Sequence, residues 1–252
     1  MQAQRLHLAF LITGFIAVQV CHSVPLPSSS TTTPAQLLNL GHNWYIQLPV
    51  GNTPESTTYG SVFPPNLDTF SSPNFGLSDS ELAQGFAATN PGVTFYTPNT
   101  GITTGGSESP RTELRHMCDA AGPTSRSYGG WASNDTYPHQ LNVTLQVDWV
   151  PLNKLVIVAQ LFSVSGGAQF TYRVGSKNGK YYFSLCTKNG CFTFDNYYTL
   201  ATAFTLNINA FNNQLTTIYR NLASGTTFSN SVFMSPYPDY VFKAGNYCHI
   251  VA

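Results

Sequence analysis

Charge is what this sequence has least of. Only 9% of its 252 residues are Asp, Glu, Lys or Arg, with 11 basic and 11 acidic side chains in formal balance. That balance, without basic clustering, excludes the electrostatic footprint of a nucleic-acid binder. A polyanion could be held only through a few well-placed cations. Long apolar runs are also scarce. The one near the N-terminus, from Leu8 to Val20, follows Arg5 and closes on Cys21-His22-Ser23. It is short and a polar stretch follows it, so residues 1–23 read as a secretory signal peptide rather than an anchor. No later stretch is apolar enough to span a bilayer. A secreted, extracellular protein is expected, monomeric and with neither membrane nor nucleic acid as partner.

Helical periodicity is thin as well. "PAQLLNL" and "DSELAQGF" could each give a turn or two. Residues 24–36, "VPLPSSSTTTPAQ", read as a Pro/Ser/Thr-rich leader or O-glycosylated tether. Residues 37–252 show neither a repeat nor a linker and read as one domain. Two sequons, at Asn134 and Asn142, are candidate glycosylation sites.

Cysteine is sparse but even in number once Cys21 leaves with the signal: Cys118, Cys186, Cys191 and Cys248 remain. Two disulfides are expected, with three connectivities open. "LCTKNGCF" sets Cys186 and Cys191 across a Lys-Asn-Gly turn, a natural hairpin pairing that would leave Cys118 with Cys248. No Cys or His pair has zinc-site spacing, and no metal or cofactor is called for.

What the chain has in quantity is short, alternating, aromatic and β-branched runs. "NWYIQLPV", "QLNVTLQVDWV", "KLVIVAQLFSV", "KYYFSLC", "FTLNINAF" and "DYVFKAGNYCHIV" are examples, separated by Gly, Pro, Asn and Ser. This spacing predicts an all-β protein, a sandwich of two antiparallel sheets or a β-jelly roll. In one run, "SESPRTELRHM", Arg111, Glu113 and Arg115 alternate. On a strand they share one face, while Thr112, Leu114 and His116 take the other. By the same parity Lys243, Tyr247 and His249 share a face of the last run, and Gln160 and Phe162 share a face of "KLVIVAQLFSV". Taken alone, alternating charge usually marks a solvated face, and a lone Lys243 reads as a surface lysine.

Together these residues resemble a family. "SPRTELRHM" is similar to the R-[ST]-E-L-R signature of polysaccharide lyase family 7, the alginate lyases. "YVFKAGNYCHI" resembles that family's Y-F-K-A-G-x-Y-x-Q, and "VAQLF" falls where the family has Q-[IV]-H. The resemblance runs from about Asn43 to the C-terminus. It implies a jelly roll whose concave sheet binds an acidic polysaccharide and cleaves it by β-elimination. It assigns Arg111, Gln160 and Tyr247 to catalysis, and Glu113, Arg115 and Lys243 to substrate binding. Three positions depart from the pattern: Phe162 replaces the histidine, Val241 the first tyrosine, and His249 the last glutamine. Phe162 and His249 still lie on the substrate face, where His249 is the candidate to recover part of the missing histidine's role.

The chemistry suits those residue types. Eliminating across a 4-linked uronate needs its carboxylate neutralised, its C5 proton removed and the departing O4 protonated. A guanidinium holds a carboxylate in a bidentate fork, and the Gln160 amide can support the developing enolate-like charge. Glu113, between two arginines, reads as the holder of their geometry. Tyr247 is the candidate for the proton transfers, with an optimum expected at neutral to alkaline pH. A glycoside hydrolase would need two carboxylates across a bond, and no strand here offers such a pair. The alternative is a non-catalytic, lectin-like jelly roll that binds acidic polysaccharide.

Overall fold

The computed structural model describes residues 8–11, 32–41, 43–50, 60–77, 92–98, 101–103, 107, 109–117 and 130–249, with backbone alone for 8–11, 248 and 249. Fifteen strands follow in chain order: β1 (Leu8–Leu11), β2 (Trp44–Leu48), β3 (Gly60–Val62), β4 (Phe75–Leu77), β5 (Val93–Phe95), β6 (Arg111–His116), β7 (His139–Val147), β8 (Leu155–Ser163), β9 (Gly167–Lys177), β10 (Lys180–Thr187), β11 (Gly190–Tyr198), β12 (Ala203–Phe211), β13 (Gln214–Asn221), β14 (Thr227–Phe233) and β15 (Tyr240–His249). They form two antiparallel sheets, one of seven strands ordered β14-β13-β12-β7-β1-β5-β4 and one of eight ordered β11-β10-β9-β8-β15-β6-β2-β3. This is the expected jelly roll, with chain-distant strands β6 and β15 side by side. The apolar run read as a signal supplies β1, which lies between β7 and β5.

Of the two expected helical turns, one lies within the described residues, and it forms. Pro34–Leu37 (α1) begins with a reciprocal cap: Gln36 N–H donates to Thr33 Oγ1 at 3.3 Å, and Thr33 N–H donates to Gln36 Oε1 at 2.9 Å. "DSELAQGF" lies outside the described residues. No described helix is long and apolar enough to cross a membrane.

Period-two alternation builds the core. Leu141, Val143 and Leu145 of β7, and Phe204, Leu206 and Ile208 of β12, face inward against Leu114, Leu161, Tyr172, Phe183 and Phe242 of the larger sheet. Each such side chain contributes roughly 1.5–3 kcal/mol by leaving water. The phenol of Tyr172 finds the Thr217 hydroxyl at 2.5 Å inside this core, so Tyr172 is a packing residue. Cys186 and Cys191 face each other across β10 and β11 and are bridged, as the hairpin turn predicted. Cys118 and the side chain of Cys248 lie outside the described residues, and with them the second pairing. Asn134 is exposed in a turn.

Two irregularities aim the site. Between β8 and β9 the register slips at Val158, so Val158 and Ala159 both enter the core while Ile157 stays outside it. Between β15 and β8 it slips at Gly245 and Asn246. Gly245 has φ +150°, and a Cβ there would lie 2.3 Å from the Thr112 carbonyl oxygen. Only glycine lets β15 approach β6 this closely while bulging away from β8.

Candidate active site

β6 and β15 pair so that Lys243 faces Arg115, Gly245 faces Glu113 and Tyr247 faces Arg111. On its other side β15 sets Lys243 against Gln160 and Val241 against Phe162. Parity along separate strands therefore becomes one patch. It is not a solvated face: Arg111, Glu113, Arg115, Gln160 and Lys243 are each at most 8% exposed. Lys243, which alone would read as a surface lysine, is among the most buried side chains of the protein.

Glu113 is the electrostatic centre of the patch. Its Oε2 accepts from Arg115 Nε at 3.1 Å and lies 3.6 Å from Arg111 Nη1. Burial pushes its carboxyl up, but the charges of Lys243, Arg115 and Arg111 outweigh that and hold it below the usual range. Glu113 is thus an ionised strut between cations. Burial pushes the Lys243 ammonium down to about 7; Glu113 opposes the shift, while Arg115 and Arg111 add to it. The ammonium sits over the Phe162 ring, 3.2 Å from its centroid. Such a cation–π contact replaces part of the lost hydration.

The Arg111 guanidinium lies over the Tyr247 ring, 4.0 Å from the centroid. Its buried Nε has no hydrogen-bond partner among the described residues. The Tyr247 hydroxyl lies 2.8 Å from Ser107 Oγ, which also donates to the Ser109 carbonyl at 3.1 Å. With the serine proton so engaged, the phenol is the donor to Ser107. Val241 is buried on the same face as Lys243, paired with Phe162. The His249 backbone closes β15 opposite Leu155, but its side chain lies outside the described residues. His116 packs edge-on against Trp44 in the core, and burial, aided by His139, lowers its pKa to about 4. It is a neutral structural histidine.

Sequence reasoning missed Ser107, Gln47 and Ile157. Gln47 is 1% exposed and faces Glu113 from β2; its parity with Tyr45 in "NWYIQLPV" was a usable signal. Ile157, opposite Tyr247, was hidden by the register slip. Ser107 sits in a loop, where no periodicity points to it.

A sequence profile of the family described as Alginate lyase matches residues 38–249. The chain belongs to the alginate lyase family. Membership makes it a polysaccharide lyase. The solved alginate lyase from Corynebacterium sp. superposes with a TM-score of 0.68 at 23% identity, covering 86% of each chain. Alginate lyase A1-II', a member of polysaccharide lyase family 7, gives 0.66 at 22% identity over 86% of this chain and 90% of that one. The alginate lyase from Klebsiella pneumoniae gives 0.65 at 18% identity over 82% and 87%. These likenesses establish the fold. No curated protein sequence matches the chain.

Proposed function

We propose that this alginate lyase family member is a secreted enzyme that cleaves β-1,4-linked D-uronate polymers, polymannuronate or glucuronan, in preference to guluronate blocks. The observation that carries the reading is Phe162 against the Lys243 ammonium, where the family signature has histidine. In D-mannuronate and D-glucuronate, the C5 proton and O4 lie on the same side of the ring. One group can then serve as base and acid in turn. In guluronate they lie on opposite sides, and two groups are needed. A phenyl ring has no basic or acidic atom, so Tyr247 is left to do both transfers.

In this reading Arg111 and Gln160 hold the substrate carboxylate, with the Arg115 and Lys243 charges behind them and Glu113 fixing the arginines. Tyr247, ionised to the phenolate, takes the C5 proton and becomes the phenol; the C–H electrons form the C4=C5 bond as the C4–O4 bond breaks. The same phenol then protonates O4. Ser107, bonded to that phenol, positions it and donates in turn when it ionises.

The test is ultraviolet absorbance of the new double bond with polymannuronate, polyguluronate and glucuronan offered separately. Signal on either D-uronate polymer supports the reading; signal on polyguluronate alone refutes the preference. Phe162 also favours a second reading, a binding protein that has lost turnover. Tyr247→Phe separates the two. In a lyase it abolishes cleavage, a loss of about 10²- to 10⁴-fold, while polymer binding persists. Secretion has its own check: the exported chain should begin at Val24, without β1.

A further inference from the structure

We propose that a second polyuronate-binding subsite lies on the same concave sheet, two strands beyond Tyr247, built from Arg173, Lys177, Lys180 and Tyr182. This rests on the polyuronate reading above. The register runs Arg111, Tyr247, Ile157, Arg173, Ser184 across β6, β15, β8, β9 and β10. Strands lie about 4.8 Å apart, so Arg173 sits about 10 Å from Tyr247 across the sheet. A 4-linked pyranose advances by about one strand spacing, which places Arg173 under sugars flanking the scissile bond.

Three observations converge there. First, a cleft of about 610 Å³ opens on this end of the sheet, and its lining includes Arg173, Lys177, Lys180, Tyr181 and Tyr182 but no Asp or Glu. Three of the chain's 11 basic residues line it. The Arg173 guanidinium rests on the Cys186 and Cys191 sulfurs and has no carboxylate partner among the described residues. Second, Lys177 and Lys180 are directly paired across β9 and β10. Like charges so placed repel, and an anion between them reverses the sign. Third, Tyr182 lies flat across Gly175: a Cβ at Gly175 would fall 2.2 Å from the Tyr182 ring. The missing side chain leaves the ring lying along the sheet, a platform of the kind a sugar's apolar face covers. Arg173 lies on one side of this platform and the lysine pair on the other, four residues and about 13 Å apart along the strand, a span of two to three uronates.

The test uses the full chain with Lys177→Ala/Lys180→Ala and, separately, Tyr182→Ala. Initial rates are followed by double-bond absorbance on polymannuronate and glucuronan, and on an oligomer of the same uronate too short to reach Lys177. Retardation in gels containing each polymer gives binding without turnover. The subsite predicts that KM for the polymer rises about tenfold, roughly the worth of two screened charge contacts and a stacking face. It also predicts that kcat and the oligomer KM stay at the parent values. Parent-like polymer KM in both variants overturns the subsite and leaves the polyuronate reading intact. A parent protein that neither cuts nor is retarded by any of these polymers overturns both.

Discussion

The middle of the concave sheet and its β9–β10 end hold cations in opposite ways. At β6 and β15, Arg111, Arg115 and Lys243 are buried around the Glu113 carboxylate. At the β9–β10 turn, Lys177 and Lys180 are exposed and face one another without a carboxylate in the cleft. Buried charges need a partner and then hold still; exposed ones are cheap to keep but screened. The first arrangement is fixed before substrate arrives, as transition-state stabilisation requires. The second can follow a moving polymer. One sheet thus separates positioning from capture.

The sharpest way to break this contrast is Glu113→Gln, which keeps shape and removes the charge. Three buried cations then lack their counter-ion, and about 3–5 kcal/mol of stability should be lost. At about 2–4 °C per kcal/mol for a chain of this size, thermal unfolding should fall by roughly 10 °C. Lys177→Ala/Lys180→Ala should leave the unfolding temperature unchanged or slightly raised. Equal losses in both regions would refute the distinction.

That distinction was only half legible in the sequence. Alternation put Arg111, Glu113 and Arg115 on one face of their strand and Lys243 and Tyr247 on one face of theirs, because a strand's period is geometric and survives any fold. It could not reveal burial: Lys243 looks like a surface lysine until Phe162 covers it. Register slips were equally invisible. The one at Val158 returns Ile157 to the concave face and so brings Arg173 into line with Tyr247. Strand β14, "TFSNSVF", is an edge strand of mixed exposure with little core-facing signal. Ser107 lies in a loop, where no pattern reports proximity.

Phe162→His tests the centre of the buried patch. It restores a proton carrier beside Lys243, so polyguluronate cleavage should appear or rise at least tenfold, the lower range for a positioned acid or base being about 10²-fold. Lys243 should meanwhile lose its ring contact. A variant with unchanged preference among the three polymers would show that residue 162 does not set stereochemistry.

The pH response should differ between the two regions as well. Lys243 titrates near 7 in the fold against an ordinary 10.5. The groups facing it are Glu113, Arg115, Arg111 and the Phe162 ring. Its folded pKa is the lower one, so between these values the unfolded chain binds more protons and this lysine's contribution makes stability rise with pH. Function runs the other way. Above about 7 the receptor loses a cation, and KM should climb severalfold. Lys243→Arg keeps its charge and should flatten that climb.

Salt gives the smallest effect and the cleanest separation. At physiological ionic strength the screening length is about 8 Å, and it shortens to about 3 Å near 1 M. Exposed Lys177 and Lys180 should therefore weaken with added salt, while the buried pairs around Glu113 barely respond. Polymer KM should rise a few-fold between low and moderate salt at constant kcat, and the short oligomer should show little change. In Lys177→Ala/Lys180→Ala the polymer's salt dependence should shrink toward the oligomer's. If the variant keeps the full dependence, the salt-sensitive contacts lie in the buried patch, and capture and positioning share one set of charges.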